Sequence, residues 1–375
     1  MKPISSLVKE YLRDLKPCVH GGEVLDAAYK SGISCEDLLD FSSSVNPLGT
    51  SKKALAAAEA AFDQVAAYPD STSSKLRGVI AEHYNVLREN VVVGNGSTEL
   101  MYLFAEVFLS KGDIVVMAAP TFGEYEGAVR KTGADIRFID LREDKKLDVD
   151  AFIKGMVGAK MVFVCNPNNP TSLLVPKKDL ERILDAALEL GVLVFLDEDF
   201  LEFVENEQEL SMMSSIDKYV NLFILRSFTK LFGLTGLRVG YGLANREIID
   251  VLMCTKIPWN VNCLAQAAAV VALNDNEHLQ RTRRLICEEK KYLLEGLSRV
   301  KGFRVFVLDA SFFFIDIKGT GYTAAELSQK LLEQGIIIRD CSSFKGLNQH
   351  QCYIRIAVKL HEENVRLLQA LGKVL

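Results

Sequence analysis

Short apolar runs alternate with longer segments in which apolar residues recur every three or four positions, from about residue 75 to residue 245. The short runs are typical of buried parallel strands, and the longer segments are typical of helices that cover a sheet. This alternation predicts a mostly parallel α/β sheet built from βαβ units. The predicted strands are residues 91–94, 114–118, 135–139, 161–165, 192–197, 221–226 and 237–243.

The pattern changes after a helical stretch predicted over residues 263–297. Strand-like runs then alternate with helical segments, which predicts a smaller α+β domain. The predicted strands of this part are residues 303–308, 312–317, 335–339 and 353–358, and the predicted helices lie near 323–333 and 361–372. No Gly/Ser-rich linker separates the two parts, so we expect them to pack closely and to share a cleft.

Composition agrees with this organisation. A chain of 375 residues exceeds the size at which a single core usually stops growing. The net charge of −5 and the pI near 5.7 argue against nucleic acid as a partner. Eight cysteines without a Cys-x-x-Cys pair or zinc-ligand spacing favour reduced thiols in the cytoplasm and predict no metal site. No targeting signal is found, and no apolar stretch reaches the roughly 20 residues that would span a membrane.

The segment from Ser227 to Gly240 is rich in residues that can bind a cofactor. It contains several hydroxyls, Lys230, spaced glycines and Arg238. A lysine amine condenses with an aldehyde once nearby cations and desolvation lower its pKa, and hydroxyls with an arginine are ligands for a phosphate dianion. Pyridoxal phosphate is the cofactor that carries both an aldehyde and a phosphate. The segment therefore predicts Schiff-base chemistry at Lys230 beside a phosphate site.

Three other predicted strands are followed by polar residues suited to that cofactor. Asp197 ends an apolar strand, where its carboxylate could keep a pyridine nitrogen protonated, although a helix cap or a turn is the alternative. Asn169 ends an Asn-Pro loop and could donate to a phenolate oxygen. Gly96 precedes a helix that opens at Ser97, where exposed amides and the helix dipole favour a phosphate.

In their joint order these residues resemble the fold type I pyridoxal-phosphate enzymes, the class I and II aminotransferase superfamily, over essentially the whole chain. The resemblance implies a homodimer whose large domain, residues 46–260, holds a mostly parallel seven-stranded sheet and the cofactor. It implies a small α+β domain over residues 261–375. The N-terminal arm, residues 1–45, is expected to contribute to the small domain and to the substrate site.

Position by position, Lys230 matches the Schiff-base lysine, Asp197 the partner of the pyridinium nitrogen and Asn169 the residue that binds the ring hydroxyl. The residues that match the cup for the cofactor phosphate are Gly96, Ser97, Thr98, Ser227 and Arg238.

Aromatic residues complete the cofactor site that the resemblance implies. Phe122 looks like the ring that stacks on the cofactor, with core packing as the alternative. Tyr68 looks like the tyrosine that reaches across the dimer interface to the cofactor phosphate. Phe200 stands where many relatives have a tyrosine that donates to the ring oxygen, so the ring oxygen is expected to depend more on Asn169.

Four residues are predicted to bind substrate. Arg355 lies in an apolar strand, so its guanidinium needs an anionic partner, and it matches the arginine that clamps the substrate carboxylate. Arg339 is expected to bind the same end or a substrate phosphate, with a surface salt bridge as the alternative. Asn46 and His20 are candidates for an extra anion site, although His20 could equally be a turn residue of the arm.

The amino-terminal segment narrows the family. His20-Gly21-Gly22 and the later run Ser44-Val45-Asn46-Pro47 resemble the opening of L-threonine-O-3-phosphate decarboxylases of cobalamin biosynthesis, which are cousins of histidinol-phosphate aminotransferases. We therefore expect decarboxylation of L-threonine O-3-phosphate to (R)-1-aminopropan-2-yl phosphate. The alternative is a histidinol-phosphate or related aminotransferase that uses 2-oxoglutarate and glutamate. Both reactions take a phosphorylated amino acid or amino alcohol.

Residue identities do not choose between these two reactions, because the product depends on which bond at the substrate Cα stands perpendicular to the cofactor ring. A ligand-sensing module of the same fold is a third possibility. The joint presence of Lys230, Asp197, Asn169 and Arg238 disfavours it.

Overall fold

The computed structural model describes residues 3–13, 15–306 and 308–375. The helices and strands up to residue 200 are α1 (Val24–Ser31), β1 (Leu39–Asp40), α2 (Lys52–Ala60), α3 (Ser74–Tyr84), β2 (Val91–Gly94), α4 (Ser97–Phe108), β3 (Ile114–Ala119), α5 (Gly123–Thr132), β4 (Asp135–Asp140), α6 (Val149–Gly155), β5 (Met161–Cys165), α7 (Lys177–Leu190) and β6 (Leu193–Asp197).

The second part of the chain continues this alternation and then adds a second set of strands. Its elements are α8 (Glu207–Leu210), β7 (Leu222–Ser227), β8 (Gly240–Ala244), α9 (Arg246–Thr255), α10 (Cys263–Ala272), α11 (Asn276–Ser298), β9 (Arg304–Val305), β10 (Phe312–Asp316), α12 (Ala324–Leu332), β11 (Ile336–Ile337), β12 (Arg339–Asp340), β13 (Tyr353–Ala357) and α13 (His361–Val374).

The central sheet has seven strands in the order β2-β8-β7-β6-β5-β3-β4. All neighbours run parallel except the two pairs that include β8. Every residue of β2, β5, β7 and β8 is buried, because helices cover both faces of a sheet of this kind. The predicted seven-stranded, mostly parallel α/β sheet is therefore confirmed, with shifts at the strand ends.

Three elements differ clearly from the prediction. The last strand of the sheet begins at Gly240 instead of residue 237, because Thr235–Leu237 form a 3₁₀ turn and Arg238 has a φ of 56°. A side-chain-bearing residue in the left-handed region does not continue a strand. The predicted helix 263–297 is two helices, α10 and α11, and Asp275 at the break accepts hydrogen bonds from Ser51 Oγ and Lys53 Nζ. The predicted strand 335–339 is two short strands, β11 and β12, which belong to different sheets.

The C-terminal strands form an antiparallel sheet in the order β12-β13-β10-β9. The N-terminal segment joins this part of the molecule, because β1 pairs in parallel with β11. The helix α10, which lies in the predicted C-terminal domain, packs against α2 and α3 of the predicted large domain. The two parts therefore contact each other across the predicted boundary near residue 260. The division into three segments remains a proposal. None of the described helices is both long and apolar enough to cross a membrane.

Candidate active site

A cavity of about 670 Å³ lies between the N-terminal arm, the start of α5 and the C-terminal sheet. Its lining includes five of the residues predicted from the sequence, namely His20, Phe122, Asn169, Arg339 and Arg355. The other predicted cofactor residues, apart from Tyr68, form two groups around Lys230 and around Gly96.

Lys230 follows the end of β7, and its backbone carbonyl accepts hydrogen bonds from the amides of Asn46 and Gly233. Its Nζ lies 5.5 Å from the centre of the Phe200 ring. Burial lowers the pKa of Lys230; Arg355 and Arg238 lower it further, whereas Asp199 and Asp197 oppose the shift. A lysine with a lowered pKa has a larger fraction of its amine in the neutral form, which is the form that attacks an aldehyde and takes up a proton. The position of Phe200 agrees with the expectation that no hydroxyl is supplied from this side.

Asp197 is the last residue of β6, at the carboxyl edge of the sheet. The Tyr125 hydroxyl donates to its Oδ2 at 2.7 Å, and the Asp199 amide donates to its Oδ1 at 2.9 Å. Burial raises the pKa of Asp197 to about 7, and the charge of Asp199 adds to the rise. A buried carboxylate of this kind is stabilised by a cationic partner, and a protonated pyridine nitrogen would be one.

The N-terminus of α4 fits a phosphate. The helix begins at Ser97, as predicted, and Gly96 before it has a φ of 87°. A Cβ on Gly96 would lie 2.5 Å from Arg238 Nη2, and a Cβ on Gly240 would lie 2.5 Å from the Ser97 nitrogen. The guanidinium therefore lies against the positive end of a helix dipole, where a cation is unfavourable unless an anion lies beside it.

Arg355 is buried in β13, and its guanidinium donates to a side-chain amide oxygen and to a backbone carbonyl. Its Nη1 donates to Asn169 Oδ1 at 2.6 Å and its Nη2 donates to the Ser42 carbonyl at 2.7 Å. Its Nε is buried without a partner among the described residues. Burial lowers the pKa of Arg355 to about 10. Because Arg355 occupies the Asn169 oxygen, the amide nitrogen of Asn169 is the group left to donate to a ligand.

Arg339 lies directly opposite Arg355 on the neighbouring strand. Like charges in facing positions destabilise a sheet unless an anion lies between them. Arg339 is only 7% exposed, and it donates to the carbonyls of Val19 and His20 and to Ser343 Oγ. The alternative of a surface salt bridge is therefore wrong. A guanidinium has five N–H donors, so these three bonds leave two for a ligand.

His20 has a carboxylate partner on α5. It forms a 2.9 Å contact through its Nε2 with Glu124 Oε1, and Tyr102 donates to Glu124 Oε2 at 2.6 Å. Glu124 binds His20 and Tyr125 binds Asp197, and neither was predicted from the sequence. A signal was present: both lie on the same helical face as the buried Ala128 and Val129, where a glutamate needs a partner.

Asn46 does not line the cavity that holds the other predicted substrate residues. Its side chain is 4% exposed, and its Nδ2 donates to the Leu231 carbonyl at 2.6 Å and to Thr282 Oγ1 at 2.9 Å. Its Oδ1 accepts from the Leu48 amide. These bonds use the polar atoms of Asn46 to fix the segment that carries Lys230, and a role of Asn46 in binding substrate stays a prediction.

Phe122 precedes α5 and contacts Tyr125 edge to face at 5.5 Å. Tyr68 is 81% exposed and stacks on Trp259 with 4.6 Å between ring centres. Tyr68 does not line the cavity of its own chain, so its role across an interface stays a prediction. Among residues 3–13, 15–306 and 308–375 no group of three or more His, Cys, Asp or Glu side chains could hold a metal ion.

The comparisons with known proteins agree with this geometry. The model of the family "Aminotransferase class I and II" matches residues 36–371. The chain is 36% identical to the histidinol-phosphate aminotransferase of Symbiobacterium thermophilum over 371 residues, which cover 99% of each chain. The crystal structure of the histidinol-phosphate aminotransferase from Clostridium acetobutylicum superposes with a TM-score of 0.84 at 31% identity, over 90% of this chain and 99% of that one.

The crystal structure of L-threonine-O-3-phosphate decarboxylase from Porphyromonas gingivalis is also similar, with a TM-score of 0.79 and 28% identity over 89% of this chain and 98% of that one. Curated relatives that are 30–36% identical over the full length are, however, histidinol-phosphate aminotransferases. The expectation of a decarboxylase is therefore wrong. It rested on His20-Gly21-Gly22 and on Ser44-Val45-Asn46-Pro47. Packing accounts for Gly21 in the first motif, because a Cβ there would lie 2.4 Å from the Ser42 carbonyl oxygen.

Proposed function

The chain belongs to the class I and II aminotransferase family, and from that premise we propose that it transfers the amino group of histidinol phosphate to 2-oxoglutarate. The family depends on pyridoxal phosphate, so the predicted cofactor is confirmed. When bound, the cofactor supplies the aldehyde that takes up the amino group and a ring that withdraws electrons from the substrate Cα. The side chains of the site bind and orient the cofactor and the substrate and move the proton.

We assign these side chains as follows. Lys230 Nζ, whose pKa is lowered by burial, binds the cofactor aldehyde and moves the proton at the substrate Cα. Asp197 holds a proton on the ring nitrogen and is itself oriented by Tyr125. Asn169 donates to the ring oxygen, and Phe122 packs on the ring face. The N-terminus of α4, with Ser227 and Arg238, holds the cofactor phosphate.

The two facing arginines carry the proposal of a phosphorylated substrate. Arg339 and Arg355 are both buried, lie opposite each other and line the same cavity as Phe122 and Asn169. Two guanidinium groups suit a phosphate dianion, because each can bind a different pair of its oxygens. The same pair can take the α-carboxylate of glutamate in the second half of the reaction. Asn46 has no part in this assignment.

Members of the family are generally homodimers. The exposed side chains around Tyr68 suit an interface, because Phe62 and Val65 are each 60% exposed and Trp259 is 48% exposed. This patch supports the proposal that Tyr68 contacts the cofactor phosphate of a second copy of the chain.

Histidinol phosphate should be a far better substrate than histidinol, which lacks the phosphate. We expect kcat/KM to differ by on the order of 100- to 1,000-fold, because the smaller substrate leaves buried guanidinium donors unpaired. In an Arg339→Gln variant this ratio should fall by about tenfold or more. Steady-state assays with both substrates and 2-oxoglutarate give the ratio.

The control for this prediction is Arg304→Gln. Arg304 lies over the Phe306 ring in the C-terminal sheet and does not line the cavity, so the ratio should stay at the wild-type value. Equal kcat/KM for histidinol and histidinol phosphate in the wild-type enzyme would show that the arginine pair does not recognise a phosphate.

A further inference from the structure

The arm segment, residues 18–22, forms one wall of the cavity and is held in a fixed place. Gly21 packs so closely on Ser42 that a side chain would not fit, and the Gly22 amide donates to Ser42 Oγ at 2.8 Å. Arg339 binds two carbonyls of the arm segment at 2.7 and 3.0 Å. These contacts fix the backbone of the arm segment, so that the His20 side chain lies at the cavity.

Glu124, in the first turn of α5, is the partner that this arrangement provides for His20. The side chain of Glu124 is 10% exposed, and both of its oxygens are engaged, Oε1 by His20 and Oε2 by the Tyr102 hydroxyl. The bond from His20, ahead of the one from Tyr102, lowers the pKa of Glu124, although burial opposes this shift. Glu124 is therefore a carboxylate that already accepts the N–H of an imidazole inside the substrate cavity.

The two partners of Glu124 differ in how easily they can leave. The His20 side chain is 44% exposed and belongs to the arm, whereas Tyr102 belongs to α4 and anchors the second oxygen. A ligand that brings its own N–H donor can replace His20 at Oε1 without leaving Glu124 unpaired. The imidazole of His20 thus marks the place for a ligand of the same chemistry.

We propose that Glu124 and His20 form an exchangeable pair that selects the two substrates. In one half of the reaction Glu124 Oε1 accepts the imidazole N–H of histidinol phosphate in place of His20. In the other half His20 stays on Glu124 as an imidazolium, and its second ring N–H binds the distal carboxylate of glutamate or 2-oxoglutarate. This inference rests on the proposed function, because it explains how that reaction uses one cavity for two side chains.

The two substrates differ in the charge of the side chain that must be bound, and a single fixed charge does not suit both. A fixed carboxylate alone would favour an imidazole but repel a dicarboxylic substrate, and a fixed cation alone would do the reverse. Paired, the two groups present an acceptor to one substrate and a donor to the other. Arg339 and Arg355, in the same cavity, are left to bind the phosphate or the α-carboxylate.

The test measures kcat/KM for histidinol phosphate and for glutamate in holoenzyme variants. Glu124→Gln should lower the value for histidinol phosphate by roughly tenfold or more, because a charge-assisted bond is lost, and should lower the value for glutamate by a clearly smaller factor, because only the hold on His20 is weakened. His20→Phe should do the opposite and lower the value for glutamate. Glu106→Gln is the matched control, because Glu106 is a glutamate of α4 that pairs with Lys131 of α5 at 2.5 Å and does not line the cavity.

The outcomes separate this inference from the proposed function. Suppose that the wild-type enzyme converts histidinol phosphate while each variant changes kcat/KM by the same factor for both substrates, or changes neither value. That result would overturn the inference and leave the proposed function standing. A wild-type enzyme that does not convert histidinol phosphate would overturn both. Unfolding midpoints of the holoenzymes identify a variant that is damaged in its fold. If Glu124→Gln is so damaged, the exposed His20→Phe substitution decides the result alone.

Discussion

Lys230→Ala is expected to lower amino transfer by at least about 1,000-fold, because the side chain both binds the cofactor aldehyde and moves the proton at the substrate Cα. The physical basis is the burial of Lys230 among Arg355, Arg238, Asp199 and Asp197, which leaves its pKa below the ordinary value. The measurement is the rate of glutamate formation from histidinol phosphate and 2-oxoglutarate. The visible absorbance of protein reconstituted with pyridoxal phosphate should change in the same variant.

Lys290→Ala is the matched control for that substitution. Lys290 is another lysine whose pKa is lowered by burial, but its Nζ donates to the Asp309 carbonyl at 2.9 Å and does not line the cavity. We expect activity and absorbance of Lys290→Ala to match those of the wild-type enzyme. A Lys230→Ala enzyme with wild-type turnover would refute the assignment of Lys230.

Arg226→Met is expected to destabilise the fold by about 3–5 kcal/mol, because it leaves buried carboxylates without their cation. Arg226 is 1% exposed, and it binds Glu198 and Glu207 at 2.8 Å each and Glu202 at 3.5 Å. Burial raises the pKa of Glu202 to about 8, which shows how strongly this pocket penalises negative charge. The measurement is the free energy of unfolding of the holoenzyme in urea.

Arg182→Met provides the comparison. Arg182 also pairs with two carboxylates, Asp150 and Asp179, but its side chain is 52% exposed. Exposed ion pairs contribute about 0–1 kcal/mol, so this variant should unfold close to the wild-type midpoint. If the two variants lost the same stability, the buried cluster would not be held together by Arg226.

The sheet and the residues at its carboxyl edge were predictable because each depends on a local pattern. The run before Asp197 is apolar and uninterrupted, and a parallel sheet brings the ends of such runs to one edge. Gly96 and Ser97 mark a turn into a helix in the same local way. The start of β8 was not predictable, because Arg238 has a left-handed backbone and its guanidinium lies against Gly96, far away in sequence.

The site residues that were not predicted and the partners of Asn46 have a common cause. Tyr125, Glu124 and Asn46 owe their partners to contacts between distant segments, and their sequence neighbourhoods do not name those partners. Asn46 is polar and lies in a distinctive motif, yet its bonds run to Leu231 and Thr282. The prediction of a decarboxylase also rested on short motifs, and Gly21 in one of them is required by its packing on Ser42.

The most direct test of the proposed function is a single-turnover experiment with the holoenzyme and histidinol phosphate in the absence of a keto acid. The account predicts that one equivalent of substrate per active site is converted and that turnover then stops, until 2-oxoglutarate restores it and glutamate appears. The same enzyme mixed with L-threonine O-3-phosphate should release no carbon dioxide. Continued turnover without a keto acid, or no conversion of histidinol phosphate at all, would contradict the assignment as a histidinol-phosphate aminotransferase.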